Sequence, residues 1–350
     1  MRAITVLPGV PNSVRLDDIP EPATSDGEIL VRTLALGICG TDHEILQGLY
    51  GSAPPGHERL VLGHESLGVV EKAPEQSGFV AGDHVVGIVR RPDPLPCSSC
   101  AAGEWDMCRN GGYTERGIKD RHGFGSERFR IERGFAIKVD RKLGLAAVLM
   151  EPTSIVAKAW DHVERIGRRS EWWTAETVLV TGAGPIGLLA AMMAVQRNLE
   201  VHVLDRNAVG PKPELIAALG ATHHKGMDTL GDRQFDIVME CTAATPLIVE
   251  AMKRCAPSGI VCLLGVSSPG SKMEFDIGGL NRKVVLNNEV VFGAVNANLG
   301  HYRLAADALN RADRTWLDSL ITRRVPLTNW QEAFTSHKGE IKVVLSFSDV

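Results

Sequence analysis

The run Val178-Leu179-Val180-Thr181-Gly182-Ala183-Gly184-Pro185-Ile186-Gly187 constrains this chain more than any other segment. An apolar strand enters three glycines spaced Gly-x-Gly-x-x-Gly, and an apolar helix over 188–197 leaves them. Glycines in this spacing are common by chance, and the strand before and helix after are what give the pattern meaning. Gly182 makes the tight turn, Gly184 lets a pyrophosphate approach the backbone, and Gly187 lets the helix pack on the strand. Pro185 and Ile186 lie in the same turn, where free N–H groups and the helix dipole favour phosphate. The next strand, over 201–205, ends in Asp205, where an acid takes the ribose hydroxyls of a nicotinamide dinucleotide. Asp205 favours NAD, since a carboxylate repels a 2′-phosphate. Arg206 beside it offers a grip on that phosphate, so NADP stays open.

The alternation continues around this motif. Strands are expected over 177–181, 201–205, 235–240 and 260–266, with a helix over 214–219 that Gly220 caps. Strand–helix repetition of this kind implies an α/β doubly wound parallel sheet, a Rossmann domain, here placed at 175–296. The first 150 residues differ. Short strands over 29–35, 66–71 and 84–89 are separated by Gly, Pro and Asp turns, which implies a mainly β domain. A helix is expected over 152–166, another over 302–309, and a strand over 342–347 that returns to the first domain. The mainly β catalytic domain is therefore placed at 1–174 and 297–350.

Composition narrows the function classes. A net charge of −4 on 350 residues supplies no basic face, which argues against a nucleic-acid partner. No signal-peptide pattern opens the chain, and no run of about 18 apolar residues exists, so a cytoplasmic, membrane-free protein is expected. Seven cysteines, an odd number, without an export signal point away from a disulfide framework. Cys241, Cys255 and Cys262 lie in mostly apolar runs and read as small buried hydrophobes.

The other four cysteines suggest metal. Cys39, His64 and either Glu65 or Glu151 would supply the three N, S or O ligands of a catalytic zinc with an open position. A decoy triplet, Gly56-His57-Glu58, precedes Gly63-His64-Glu65. Its flanks are loop-like, whereas the second triplet leads into a strand, so His64 is preferred. Cys97-Ser98-Ser99-Cys100 with Cys108 has structural-zinc spacing but offers only three thiols. Asp93, just upstream, is the candidate fourth ligand.

Taken together, Cys39-Gly40-Thr41-Asp42, Gly63-His64-Glu65, Gly82-Asp83-His84-Val85, the cysteine lobe, Glu151-Pro152 and the glycine motif resemble the zinc-containing medium-chain dehydrogenases over nearly the whole chain. The resemblance implies a GroES-like catalytic domain, a Rossmann domain, a cleft between them, two zincs in many members and a homo-oligomer, dimer or tetramer. Arg90-Arg91-Pro92, Glu115-Arg116-Gly117-Ile118, His122-Gly123-Phe124 and Asn287-Asn288 with Gly293-Ala294-Val295-Asn296 resemble the glucose dehydrogenase branch more narrowly. That likeness implies an aldose or similar polyol substrate, with Glu115, Glu151 and Asn296 contacting sugar or cofactor. Thr242, Gly265, Val266, Val295 and Asn296 complete the implied cofactor set. Three departures stand out. Val89 occupies a position where some members carry a sugar-binding Asn, Ser154 and Ile155 fall near where some carry another sugar-contacting acid, and the lobe lacks the first of four usual cysteines.

The expected reaction is hydride transfer from a sugar C1 carbinol to nicotinamide C4, giving a lactone. Zinc would act as Lewis acid on the substrate oxygen. Asp42 would orient His64, and Thr41 would contact substrate and pass its proton outward, with His43 as a relay terminus. Lys342 reads either as a cofactor-phosphate contact or as a solvated strand-edge lysine. The alternatives are dehydrogenation of another polyol or secondary alcohol, and a zinc-free reductase or non-catalytic scaffold.

Overall fold

A computed structural model describes residues 1–267, 270 and 272–348. It separates into two compact units, Met1–Ser154 with Asn296–Val350, and Ile155–Val295. The helix Met150–Gly167 carries the chain from one to the other. The second boundary lies within one residue of the expected 296/297. The first falls inside that helix, earlier than the 174/175 at which the strand–helix alternation begins.

The first unit is mainly β. Its largest sheet runs Ala136–Lys138, His84–Gly87, Glu65–Lys72, Ile29–Ile38, Lys342–Ser346, Ile321–Pro326, with Arg128–Ile131 also pairing Ile29–Ile38. Alternating burial along Ile29–Ile38 gives way to continuous burial at its end, which lies between Lys342–Ser346 and Glu65–Lys72. Two three-stranded sheets complete the unit: Arg15–Asp18, Arg2–Val6, Leu60–Val61, and Arg90–Arg91, Thr114–Arg116, Asp120–Arg121. The core of this unit is mostly aliphatic and includes Ile4, Leu36, Leu62, Phe124, Phe129, Trp330 and Leu345.

The second unit holds one parallel sheet in the order Thr222–His224, Glu200–Leu204, Thr177–Thr181, Phe235–Glu240, Cys255–Leu263, Val290–Gly293. Every pair is parallel. Numbered along the chain, the order is the 3-2-1-4-5-6 of doubly wound nucleotide folds. The outermost strands are short and mixed in composition, and the sequence reading missed both Thr222–His224 and Val290–Gly293. Cys255 and Cys262 are buried in this unit and Cys241 half-buried. One helical stretch, Arg141–Gly167, is long and apolar enough to cross a membrane by length and composition, yet 89% of its most apolar 18-residue window is buried inside the protein.

Candidate active site

Cys39 ends the central strand Ile29–Ile38 and caps the helix Gly40–Leu46. Its backbone N–H donates to Asp42 Oδ2 at 3.0 Å. His64 enters from a turn that needs glycine: Gly63 has φ +94°, and a Cβ there would meet the Leu36 side chain at 2.5 Å. The result is a convergent pair, with Cys39 Sγ 2.9 Å from His64 Nε2. The donor atoms of Cys39, His64 and Glu65 all lie within 4.8 Å of one another. On the other ring nitrogen, His64 Nδ1 faces Asp42 Oδ1 at 3.6 Å, an ion-pair distance longer than a hydrogen bond.

Lys342 corrects both expectations placed on it. It lies in a strand between two others, not at an edge, and is 1% exposed. Its Nζ donates to Glu65 Oε1 and Oε2 at 2.7 and 2.6 Å and to Ile38 O at 3.2 Å. Glu65 stands opposite Gly37 across the sheet, where a Cβ would meet Glu65 Oε2 at 2.0 Å, so glycine makes room for the carboxylate. The clue in the sequence was a lone lysine in the apolar run Ile341 to Leu345, because a buried lysine needs a carboxylate.

The charges agree with a cation site. Burial opposes charge on His64, but Cys39 and Asp42, with Glu151 behind them, hold its pKa well above the ordinary value. Burial pushes the Glu151 carboxyl up to about 7; His64 and Lys342 pull against that and Glu65 adds to it. Cys39, Asp42, Glu65 and Glu151 thus gather four acidic side chains around one imidazole and one ammonium, a set that suits a divalent ion. The S, N and O donor types suit zinc. Glu151, 7% exposed, shares this field without joining the set that converges within 4.8 Å. Thr41 and His43 are half-buried on the helix behind Cys39.

Glu115 lies on the short strand Thr114–Arg116, which leads into a turn packed against the metal-ligand turn. Two residues later, Gly117 approaches Gly63 so closely that a Cβ would meet its carbonyl at 2.5 Å. Arg90 Nε and Nη2 donate to Glu115 Oε1 at 3.1 and 2.9 Å, and Asn296 Nδ2 donates to the same oxygen at 2.6 Å. Arg90 in turn stacks 3.7 Å from the Tyr113 ring centroid. No described residue donates to Glu115 Oε2. Asn296 holds φ +60°, a strained value for a side-chain-bearing residue, so its placement is enforced by its surroundings. Arg90 and Tyr113 were not singled out from the sequence as contacts. A buried arginine pair beside a strand end was the available sign.

In the cysteine lobe the three thiols of Cys97, Cys100 and Cys108 converge within 4.8 Å. Backbone N–H groups of Arg109 and Cys100 hold the Cys97 thiol down at about 6, while burial pushes Cys100 up to about 11. Asp93 is not in the convergent set. Its Oδ1 accepts from Leu95 N–H at 2.8 Å, and its Oδ2 packs on Gly112.

The dinucleotide residues gather at the carboxyl ends of the parallel strands of the second unit, where doubly wound folds bind ligands. Gly182 has φ +88°, and a Cβ on Gly187 would meet Gly182 O at 1.9 Å. Around Gly184 a Cβ would meet nothing within 4 Å, leaving space above the uncapped N-terminus of Pro185–Val195. Asp205 Oδ2 accepts from Ala183 N–H at 2.8 Å and Oδ1 from Asn207 N–H at 2.9 Å. Arg206 is exposed, and Lys212 Nζ, which the sequence reading missed, lies 3.8 Å from Asp205. Buried Glu240 accepts from Thr242 N–H at 2.8 Å and Ala243 N–H at 3.2 Å, pinning the loop that carries Thr242 against Gly265. Val266 and Val295, 73% and 56% exposed, follow the next two strand ends.

Two family models cover most of the chain. Residues 25–141 match the alcohol dehydrogenase GroES-like domain, and residues 144–347 match the glucose dehydrogenase C-terminus. Glucose 1-dehydrogenase 2 of Vulcanisaeta moutnovskia is 39% identical, covering 99% of each chain. Glucose 1-dehydrogenase of Thermoproteus tenax is 38% identical at the same coverage. Among solved structures, Haloferax mediterranei glucose dehydrogenase in complex with NADP, Zn and gluconolactone matches with a TM-score of 0.91 at 33% identity over 100% of both chains. The chain belongs to the glucose dehydrogenase family of GroES-like alcohol dehydrogenases.

Proposed function

We propose that this protein oxidises an aldose at its C1 hydroxyl to the lactone, passing the hydride to NAD⁺ or NADP⁺ and releasing a proton. The observation that carries this reading is Glu115: three donors fix its Oε1, its Oε2 receives none among the described residues, and the turn after its strand packs on the one that supplies His64. An acceptor held in this way suits a polyhydroxy substrate, because a site built to bond a hydroxyl rejects analogues lacking it. Relatives named as glucose dehydrogenases, one of them bound to NADP, Zn and gluconolactone, support it.

Cys39 and His64 would hold the zinc, with Glu65 and Glu151 as carboxylates able to enter or leave its coordination. Bound zinc supplies Lewis acidity toward the substrate oxygen. Asp42 steadies the Cys39 backbone and faces His64, while Lys342 holds Glu65. Thr41 would accept the substrate hydroxyl proton while passing its own toward solvent. In the second unit, Gly182 to Gly187 would seat the pyrophosphate and Asp205 the ribose. Arg206 and Lys212 supply positive charge for a 2′-phosphate, which favours use of both cofactors. The three-thiol lobe would hold a second zinc. Exposed Ile277, Val285 and Leu286, near the edge strand Val290–Gly293, offer the apolar face on which a homo-oligomer would form.

Initial rates with aldoses, polyols and simple alcohols, with each cofactor, before and after chelation, test the reading. Chelator-sensitive turnover of an aldose is expected, with a raised Michaelis constant in Glu115→Ala. Turnover confined to non-sugar alcohols, or an unchanged Michaelis constant, would remove the aldose assignment.

A further inference from the structure

Asn298 stands two residues after Asn296 and opens the helix Leu299–Arg311. Both ends of its side chain are engaged. Oδ1 accepts from Gly300 N–H and His301 N–H at 2.9 and 3.3 Å, capping the helix. Nδ2 donates to Asp106 Oδ1 at 2.9 Å. Asp or Ser would cap the helix equally well, but the amide caps with its oxygen and still donates from its nitrogen. The acceptor, Asp106, is a buried carboxylate in the short turn Trp105–Met107 of the cysteine lobe. Trp105 packs on Phe135, ring centroids 5.3 Å apart, a contact that fixes this turn without using the thiols.

Asp106 is joined to Glu115 as well. Its backbone carbonyl accepts from Arg90 Nη1 at 3.2 Å, while Nε and Nη2 of the same guanidinium donate to Glu115 Oε1. Asn296 closes the circuit from the other side. Its Nδ2 donates to Glu115 Oε1, and its Oδ1 accepts from Ala297 N–H at 2.8 Å. The ring therefore runs from Glu115 through Arg90, Asp106, Asn298 and Asn296 back to Glu115. Three separate stretches of chain supply it, all within the first unit. Arg90 and Glu115 face each other across two paired strands, Asp106 comes from the lobe, and the two asparagines lie far along the chain. The strained backbone of Asn296, at φ +60°, is pinned by its own amide on Glu115 and, two residues on, by Asn298 on Asp106.

We propose that Asp106 and Asn298 are positioning residues that set the affinity of this site for a polyhydroxy substrate, an inference that rests on Glu115 being the group that accepts from a substrate hydroxyl. The clasp between them holds Asn296 and Arg90 where all their donors to Glu115 fall on Oε1, which reserves Oε2 for the substrate. Neither positioning residue needs to touch the substrate. Without the clasp the strained Asn296 segment relaxes, its amide leaves Oε1, and the carboxylate is free to turn between its partners. A substrate hydroxyl then meets an acceptor that must be ordered on binding, at a cost in affinity. The chemical step, at the metal cluster, is unaffected.

The test is steady-state kinetics of the full-length enzyme carrying Asn298→Asp. Asp caps a helix as well as Asn does, but it sets a like charge against Asp106, so the clasp is lost and the cap kept. The Michaelis constant for the aldose should rise about tenfold, the scale of one hydrogen bond to a charged group, with kcat within about twofold. The Michaelis constant for the cofactor should not move. Adding Asp106→Asn reverses donor and acceptor, and this double variant should bring the aldose constant back to within about threefold of the parent. If Asn298→Asp fails to fold, Asn298→Ser, which caps without an amide, should raise the aldose constant in the same direction. An unchanged aldose constant, a fall in kcat alone, an equal rise for aldose and cofactor, or no recovery in the double variant would each overturn the inference. Glu115→Ala, measured alongside, separates the two failures. If it leaves the aldose constant unchanged, the role of Glu115 falls and the clasp with it; if it raises the constant and Asn298→Asp does not, the clasp alone falls.

Discussion

The two metal-competent clusters are built on opposite plans. Cys97, Cys100 and Cys108 come from one short loop, two of them half-exposed, with backbone N–H groups as their main support. Cys39, His64 and Glu65 are brought together by the sheet, and the lysine that holds Glu65 lies 277 residues away in sequence. The local cluster can therefore change its occupancy without disturbing the core. The dispersed one cannot, because each donor is also a piece of the β unit. Local spacing makes a cluster easy to see in a sequence, whereas sheet topology makes it rigid enough for chemistry.

The largest expected effect follows from that rigidity. Cys39→Ser or His64→Ala should lower kcat/KM by about 10⁴-fold, the scale of losing several kcal/mol of Lewis-acid stabilisation. Zinc content should fall by one ion per chain while the lobe keeps its own. Loss of both ions from either variant would show that the clusters are not independent.

Next comes Lys342→Met. It strands the Glu65 carboxylate, 2% exposed, without its cation. Removing one partner of a buried pair costs about 3–5 kcal/mol, to be read from urea unfolding. A cost under about 1 kcal/mol would mean that Glu65 relaxes to other partners, with the dispersed cluster less rigid than its geometry implies.

How much of this was legible in the sequence follows the same contrast. The glycine motif, the cysteine spacing and the preference for His64 over His57 could be read because each rests on neighbours in the chain. The Rossmann sheet followed from the strand–helix alternation for the same reason, although its two short outer strands carried too few residues to signal. Lys342, Arg90 and Lys212 could not be placed, because their partners are fixed by strand register and helix packing rather than by spacing. Asp93 shows the converse. Proximity in sequence suggests a ligand, yet its Oδ1 accepts from Leu95 N–H and the carboxylate stands outside the three converging thiols.

That point sharpens into a pair of variants. Cys97→Ser should cost the lobe its zinc, lower Tm by a few degrees, roughly 1–2 kcal/mol for a chain of this size, and leave kcat/KM within about twofold. Asp93→Asn should keep the zinc. If metal analysis shows the ion lost from Asp93→Asn, the carboxylate moves to the metal on binding, and the lobe is less preformed than its three converging thiols indicate.

The smallest effect concerns what anchors the lobe. Arg91, at its root, stacks 3.9 Å from the Phe135 ring centroid, and Phe135 packs on Trp105 of the lobe. Arg91 also donates to Glu132 Oε2 at 3.1 and 2.8 Å, and Arg121 donates to Oε1. Burial tends to raise the Glu132 pKa, but Arg91 and then Arg121 outweigh it and hold the carboxyl at about 2, against an ordinary 4.5. A carboxyl depressed in the folded state stabilises it above the unfolded pKa and loses that contribution as pH falls through the folded one. Glu132→Gln should therefore be less stable than the parent at neutral pH by about 2 kcal/mol, a figure reduced for the carboxylate's partial exposure. Acid protonates the parent's Glu132 to a neutral group much like the variant's amide. The difference in Tm between the two should then shrink as pH falls from 4.5 and close near 2. A difference that persists to pH 2 would assign the anchoring to the Arg91–Phe135 stack instead of the charge, and the local cluster would then rest on packing, as the dispersed one does not.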